Sequence, residues 1–268
     1  MLTKISGTYL DLAAALPLDS NDSLFIASDV TQMALDARKE GNAFNANAFI
    51  ESFQEKLTEG TLLIPAYTDN LKDGDTFDHA KSKPTTGALS NKVGRRKDFL
   101  RSKDPLHSVY AWGKGANEIA SMDGSSSLGN DSIFHWLHDN QAKMMCIDVH
   151  FQNSLTYVHF VEELRKVKYR KPYQWTIKRK FKDHSDEKSF VFYSRQPWVL
   201  TDLELLQNRA IEKGVVTVFQ LNNVQIVFFD ILEMHQLIEE MLDNGEKLYR
   251  VSLVHFAKGI AKKVLRKT

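Results

Sequence analysis

Apolar runs of strand length alternate with helix-spaced segments through the first half of this chain, and that alternation most narrows the folds open to it. Leu24, Phe25, Ile26 and Ala27 form an unbroken apolar run, followed by Ser28 and Asp29 and then by helical spacing over residues 30–40. Residues 46–57 place Phe49, Ile50, Phe53 and Leu57 on one helical face, and Gly60 precedes a second run, Thr61, Leu62, Leu63 and Ile64. Strands alternating with helices in this way form layers around one sheet. We therefore expect an α/β protein, a layered α/β/α fold with a mixed central sheet, plus a C-terminal α+β portion. A single domain spans residues 1–268 in this reading.

Further along, residues 108–112 and 143–149 read as strands, the second central, and residues 133–137 as a short helix. Residues 156–167 read as a helix, and residues 175–194 as a two-stranded ribbon turning at residues 183–186. Residues 200–213, 231–244 and 251–265 have helical patterns, while residues 215–219 and 224–229 are strands around the tight turn Asn222-Asn223. Residues 70–91, rich in Asp, Lys, Ser, Thr and Pro, are expected to form a long surface loop.

Composition excludes several classes of protein. With 268 residues, 43% hydrophobic and 26% charged, the chain is long and apolar enough for a substantial core. No run approaches the ~20 apolar residues of a membrane span, so no membrane span is expected. The N-terminus lacks the charged-then-apolar pattern of a secretion signal, which makes the expected location cytoplasmic. A net charge of +1 argues against nucleic acid as a partner. No Cys/His spacing of a metal site and no Gly-rich phosphate loop is present, so neither a metalloenzyme nor a nucleotide hydrolase is suggested. The single cysteine, Cys146, lies in the apolar run Met144–Ile147 and reads as a buried strand thiol rather than a nucleophile.

Three clusters carry candidate chemistry. On a helix over 156–167, Tyr157, Val161 and Leu164 form an apolar arc, and Thr156, His159, Glu162 and Glu163 lie opposite. An imidazole with a carboxylate three or four residues on suits proton removal near neutral pH, although an ordinary solvated His–Glu pair has the same spacing. The turn Ser28-Asp29 opens a helix through Val30 and Thr31, whose free amides favour anions. Between Arg165 and Lys182, basic residues interleave with Tyr169, Tyr173, Trp175 and Phe181, an arrangement shared by solvated ribbons and by nucleotide-binding surfaces. Residues 258–268 form a basic amphipathic end that reads as a solvated helix terminus.

The order and spacing of several short motifs carry a resemblance. Glu59-Gly60-Thr61-Leu62-Leu63-Ile64-Pro65 with Thr68 is followed by Phe77-Asp78, Pro84 and Thr86-Gly87-Ala88-Leu89. Arg101-Ser102, Asp104-Pro105-Leu106-His107-Ser108-Val109 and Leu128-Gly129 come next, and then Thr156, His159, Glu162, Tyr169 and Arg170. From about Leu24 to Pro172 the chain resembles the antibiotic N-acetyltransferases, the aminoglycoside 3-N-acetyltransferase-like family. Relatives usually have His at the position of Asp104 and a small polar residue at that of Asp29. Residues 173–268 are read as a divergent acceptor-side portion.

The resemblance implies an acyl-CoA-dependent N-acyltransferase acting on an amino sugar, with acetyl-CoA or a longer acyl-CoA as co-substrate and no metal. It implies His159 as general base, with Glu162 and Thr156 beside it. Ser28, Asp29, Val30, Thr31, Arg101, Ser102, His107 and Ser108 are the expected coenzyme contacts, with Arg96 as a further guanidinium. Thr68, Glu163, Lys168 and Arg170 are the expected acceptor contacts. Positive charge at Lys168, Arg170, Lys178 and Arg179 favours an anionic acceptor, a nucleotide-linked amino sugar of surface polysaccharide synthesis. The alternatives are an aminoglycoside 3-N-acetyltransferase conferring antibiotic resistance, and a non-catalytic nucleotide- or nucleic-acid-binding protein on the same fold. An oligomer is left open.

Overall fold

The computed structural model describes residues 2–252. In chain order it contains β1 (Leu2–Ile5), α1 (Leu12–Ala15), β2 (Ser23–Ser28), α2 (Thr31–Lys39), α3 (Ala46–Lys56), β3 (Thr61–Pro65), β4 (Thr76–Asp78) and α4 (Ala88–Val93). Then come β5 (Leu100–Arg101), β6 (Val109–Gly113), α5 (Ala116–Ser121), α6 (Ile133–Asp139), β7 (Lys143–Ile147), α7 (Phe151–Ser154) and α8 (Tyr157–Leu164). The last third holds β8 (Arg170–Lys180), β9 (Ser185–Arg195), β10 (Val199–Thr201), α9 (Glu204–Glu212), β11 (Thr217–Leu221), β12 (Val224–Asp230), α10 (Ile231–Asp243) and β13 (Tyr249–Val251).

The expected layers form around a mixed eight-stranded sheet of order β1-β11-β12-β7-β2-β3-β6-β5. Its centre is parallel, with β2 between β3 and β7, and antiparallel partners flank it. Side chains on successive strand positions point to opposite faces, so an unbroken apolar run feeds two cores at once. Leu24 and Ile26 enter the core beneath α1 to α4, while Phe25 and Ala27 enter the core beneath α6, α8, α9 and α10. In β7, Met145 and Ile147 join the first core, and Met144 and Cys146 the second. The hairpin β11–β12 completes this same sheet, so part of the C-terminal portion is structurally continuous with the first half.

Several boundaries differ from expectation. Residues 70–91 are not all loop, because Thr76–Asp78 adds a third strand to the β8–β9 ribbon and α4 begins at Ala88. A three-residue strand with one apolar side chain, Phe77, is too short to show a period. The ribbon is longer than 175–194: its register runs from Arg170 opposite Arg195 to Lys180 opposite Ser185. The helical pattern at 200–213 narrows to Glu204–Glu212, since Val199–Thr201 pairs with Tyr249–Val251. Val251 therefore ends a strand; the rest of the helix expected over 251–265, and the basic end 258–268, lie outside the described residues apart from Ser252. Among the described residues no helix is long and apolar enough to cross a membrane.

Ile26 is fully buried, whereas Leu205 is 40% exposed. Ile26→Ala should cost about 2–5 kcal/mol in urea unfolding, and Leu205→Ala within about 0.5 kcal/mol of nothing. Equal losses at the two sites would contradict this placement of the core.

Candidate functional site

The C-terminal end of β2, the start of α8 and the segment after β3 converge on a cleft of about 810 Å³. The sheet sets this position, because the chain leaves the parallel strand β2 at Ser28 and turns at once into α2. Ser28, Asp29, Val30 and Thr31 all line the cleft. Asp29 Oδ1 accepts the Thr31 amide at 2.9 Å. The Thr31 hydroxyl and amide together hold the Asp29 carboxyl below its usual range. A carboxylate thus already occupies one amide that an anion would otherwise use. Across the cleft Gly87 adopts φ 100°, a left-handed conformation that favours glycine and swings the chain into α4.

His159 stands in the first turn of α8 with 22% of its side chain exposed, and it lines the cleft with Thr156. Its Nδ1 lies 2.7 Å from Glu162 Oε2. Glu162 is 1% exposed, so α8 does not place a solvated polar arc opposite its apolar one. Leu164, expected in the apolar arc, is instead 39% exposed. The helix is covered on both flanks, and the carboxylate finds its partners inside: Tyr169 Oη donates to Oε1 at 2.7 Å, and Arg170 Nε sits 2.5 Å from Oε2.

These contacts set the charge states. Burial pushes the Glu162 carboxyl up, but His159, Arg170 and Tyr169 overcome it and hold the group below its ordinary value. Burial draws His159 down; Glu162 opposes this, and Arg170, whose Nη2 lies 2.7 and 3.2 Å from the two ring nitrogens, assists it. The net direction is below the ordinary 6.5. In the tautomer that donates Nδ1–H to Glu162, Nε2 is the basic atom of the neutral ring.

His107 also lines the cleft, almost buried, with its ring edge-on to Tyr67 at 5.0 Å and to Phe134 at 5.6 Å. Burial lowers its pKa as well. Asp104 shapes the turn: Oδ1 accepts the amides of Leu106 at 2.8 Å and His107 at 2.6 Å, and Oδ2 accepts the Ser127 hydroxyl at 2.7 Å.

The remaining expected contacts do not line the cleft. Arg101 is buried, donating to Ser108 Oγ at 3.1 Å and to the carbonyls of His79, Ser82 and Ala66, with its guanidinium over the rings of Phe77 and Tyr110. Its donors are spent inside the protein, so a phosphate contact is replaced by a structural one. Ser102 Oγ accepts the Val109 amide, Ser108 Oγ donates to Ala66 O, and Thr68 Oγ1 donates to Pro105 O, so these three hydroxyls are also internal. Arg96 is paired with Asp98 and Glu51.

Glu163 accepts Ser126 Oγ at 2.9 Å and turns away from His159. The basic stretch is corrected too. Arg170 is spent on Glu162, Arg179 is clamped between Asp123 and Asp186, and Lys168 and Lys178 are exposed outside the cleft. Sequence reasoning missed Tyr67, Asp69 and Arg195, which do line it. Each sits in a segment with no distinctive spacing; only the strand ends that flank them mark their positions. Cys146 is fully buried and its thiol is pushed up to about 12, which leaves it no nucleophilic character near neutral pH.

The sequence signature of the aminoglycoside 3-N-acetyltransferases matches residues 39–243, a stretch that includes His107, His159 and Glu162. It starts and ends later than the stretch on which the resemblance was read. No curated protein matches the chain in sequence. The fold is similar to that of AAC-IIIb in its binary form with CoASH, at TM-score 0.74 and 17% identity over 90% of this chain and 97% of that one. It is also similar to the YokD protein from Bacillus subtilis, at TM-score 0.71 and 18% identity over 89% of this chain and 100% of that one. AAC-VIa bound to sisomicin superposes at TM-score 0.72 and 14% identity, covering 90% and 99% of the two chains. Through the signature that spans most of its length, the chain belongs to the aminoglycoside 3-N-acetyltransferase family, a family of N-acyltransferases that draw on acyl-CoA.

Proposed function

We propose that this enzyme moves the acyl group of an acyl-CoA onto an amine of a cationic amino sugar of the aminoglycoside class, with His159 as general base. The observation that carries the reading is the imidazole of His159 at the cleft wall, with its Nδ1 2.7 Å from the buried carboxylate of Glu162. In the reaction the amine nitrogen attacks the thioester carbonyl carbon, a C–N bond forms and the C–S bond breaks. His159 Nε2 takes the proton released by the amine and passes it to the departing thiolate. Glu162 stabilises the imidazolium while the ring holds that proton. The Thr156 hydroxyl at the cleft wall, beside a Tyr67 hydroxyl kept protonated by burial, is the available donor toward the developing oxyanion.

Charge supports the acceptor class. The carboxylates of Asp29 and Asp69 line the cleft against a single arginine, Arg195. A polycation suits that lining better than a nucleotide diphosphate does. The basic residues that favoured an anionic acceptor in the sequence are paired or lie outside the cleft. The family and the sisomicin-bound fold neighbour support the same class.

His159→Ala should keep its fold, because Glu162 retains Arg170 and Tyr169, yet lose turnover by roughly 10²–10⁴-fold, the usual size of a general-base contribution. Thiol release with acetyl-CoA measures it; near-normal turnover would remove His159 from the reaction.

A panel comparing sisomicin and gentamicin with a nucleoside-diphosphate amino sugar should give far higher kcat/KM for the aminoglycosides. Asp69→Asn should raise the aminoglycoside KM, with a penalty that shrinks as salt screens the charge. Preferential turnover of the nucleotide sugar would overturn the acceptor assignment.

A further inference from the structure

Among the described residues lining the cleft, Arg195 is the only lysine or arginine, and a positive charge is out of keeping with a site for a polycation. Its side chain is exposed and forms no ion pair or hydrogen bond among the described residues. Arg170, its neighbour across the ribbon, is neutralised by Glu162. Arg195 therefore leaves an uncompensated positive charge at the cleft wall.

The ribbon brings that charge to His159. Arg195 on β9 stands directly opposite Arg170 on β8 in an antiparallel register, so both side chains leave the same face from Cα atoms about 4.5–5.5 Å apart. Arg170 Nη2 lies 2.7 and 3.2 Å from the two ring nitrogens of His159. A guanidinium one strand over, on the same face and lining the same cleft, stands beside the path by which an amine reaches His159 Nε2. The groups around that path differ in charge. Asp29 at the end of β2 and Asp69 after β3 are carboxylates. Burial keeps His107 and Tyr67 uncharged, and Asp104 behind His107 is spent on two amides and a hydroxyl. His159, Glu162 and Arg170 form the paired set on α8 and β8.

We propose that Arg195 keeps the acceptor amine facing His159 in its free-base form, while Asp29 and Asp69 hold other amines of the same sugar as ammonium ions. The proposal rests on the N-acyltransferase reading of the cleft, and deepens it by dividing the acceptor's amines into one that reacts and others that anchor. Only an amine with a free lone pair can attack the thioester carbon, and an aliphatic amine such as that of lysine is largely protonated near neutral pH. A unit positive charge about 7 Å away lowers an amine's proton affinity by about 0.4 pH units in a water-like medium, and by about 1.7 units at the effective permittivity near a protein surface. A carboxylate at a similar distance raises it by as much. A guanidinium suits the task because it stays positive wherever an amine or imidazole titrates. Two different protons are involved. The first leaves the ammonium for solvent as the sugar binds beside Arg195; the second leaves the amine as the C–N bond forms, and His159 takes it.

The test compares the wild type with Arg195→Gln, which removes the charge from an exposed side chain that has no internal partner to lose. For sisomicin with acetyl-CoA, kcat at pH 7 should fall roughly three- to tenfold, and the midpoint of its acid limb should move up by about half to one unit, because that limb reports groups in the enzyme–substrate complex. The two profiles should converge at about pH 9 and above, where the amine is free base in both. KM for sisomicin should fall, since a like charge has left the polycation's site. Arg195→Lys should restore the wild-type profile, and Lys114→Gln, an exposed charge outside the cleft, should leave it in place. NMR of 15N-labelled sisomicin bound beside CoA separates the amine from His159. One amine should titrate below its value in the free sugar, and Arg195→Gln should abolish that depression. A raised KM with an unmoved kcat profile would make Arg195 an ordinary contact and overturn the proposal, as would a bound sugar with no amine titrating below its free value. Absence of turnover with every acyl-CoA would sink the N-acyltransferase reading instead, and the titration of the bound amines would still decide what Arg195 does.

Discussion

A carboxylate with 1% exposure must be matched inside the protein or it will protonate. Glu162 is matched by a ring nitrogen, a guanidinium and a phenol, supplied by its own helix and by Tyr169 and Arg170 just beyond it. Removing the guanidinium from a buried ion pair such as Glu162–Arg170 costs about 3–5 kcal/mol, so carboxylate and guanidinium are tied to one arrangement. That arrangement fixes the rotamer of His159 and the exit of the chain from α8 into the ribbon. It also fixes the strand start at Arg170, which stands opposite Arg195 at the cleft. The proposed catalytic pair and the cleft wall are therefore parts of one electrostatic unit.

The same pairing takes the arginines of the basic stretch after α8 out of reach of a ligand in the cleft. A cationic residue inside a protein is available to a ligand only if no internal acceptor claims it. Arg170 and Arg179 are claimed by carboxylates, and Arg101 by carbonyls and a hydroxyl. What the cleft shows a substrate is set by the residues left over: Asp29, Asp69, Arg195 and two histidines that burial keeps neutral. An amine is a suitable nucleophile in such a place once it has lost its proton, and the neutral imidazole is the group able to take one.

The layers were legible because unbroken apolar runs of strand length such as Leu24–Ala27, followed by turn residues and then helical spacing, suit strands covered on both sides. Their residues do split between the two cores. The turn into α2 and the His159–Glu162 spacing were legible from local rules. The depth of Glu162 was not, because its cover comes from Tyr169, Arg170 and the ribbon, and a helical wheel shows only the helix itself. The phosphate arginines were misassigned for a related reason: a sequence shows that a guanidinium is present but not whether its donors are already used. Tyr67, Asp69 and Arg195 went unseen because they reach the cleft through the order of strands in the sheet. The short elements β4, β10 and β13 carry too few residues to display a period.

The central claim is that His159 is held as a neutral base between Glu162 and Arg170. NMR of the isotope-labelled imidazole nitrogens, with the ring assigned by comparison with His159→Gln, follows its protonation directly. The account predicts a midpoint below 6.5 in the free enzyme, with the proton on Nδ1 above that midpoint. A midpoint at or above 6.5, or a neutral ring with its proton on Nε2, would contradict it.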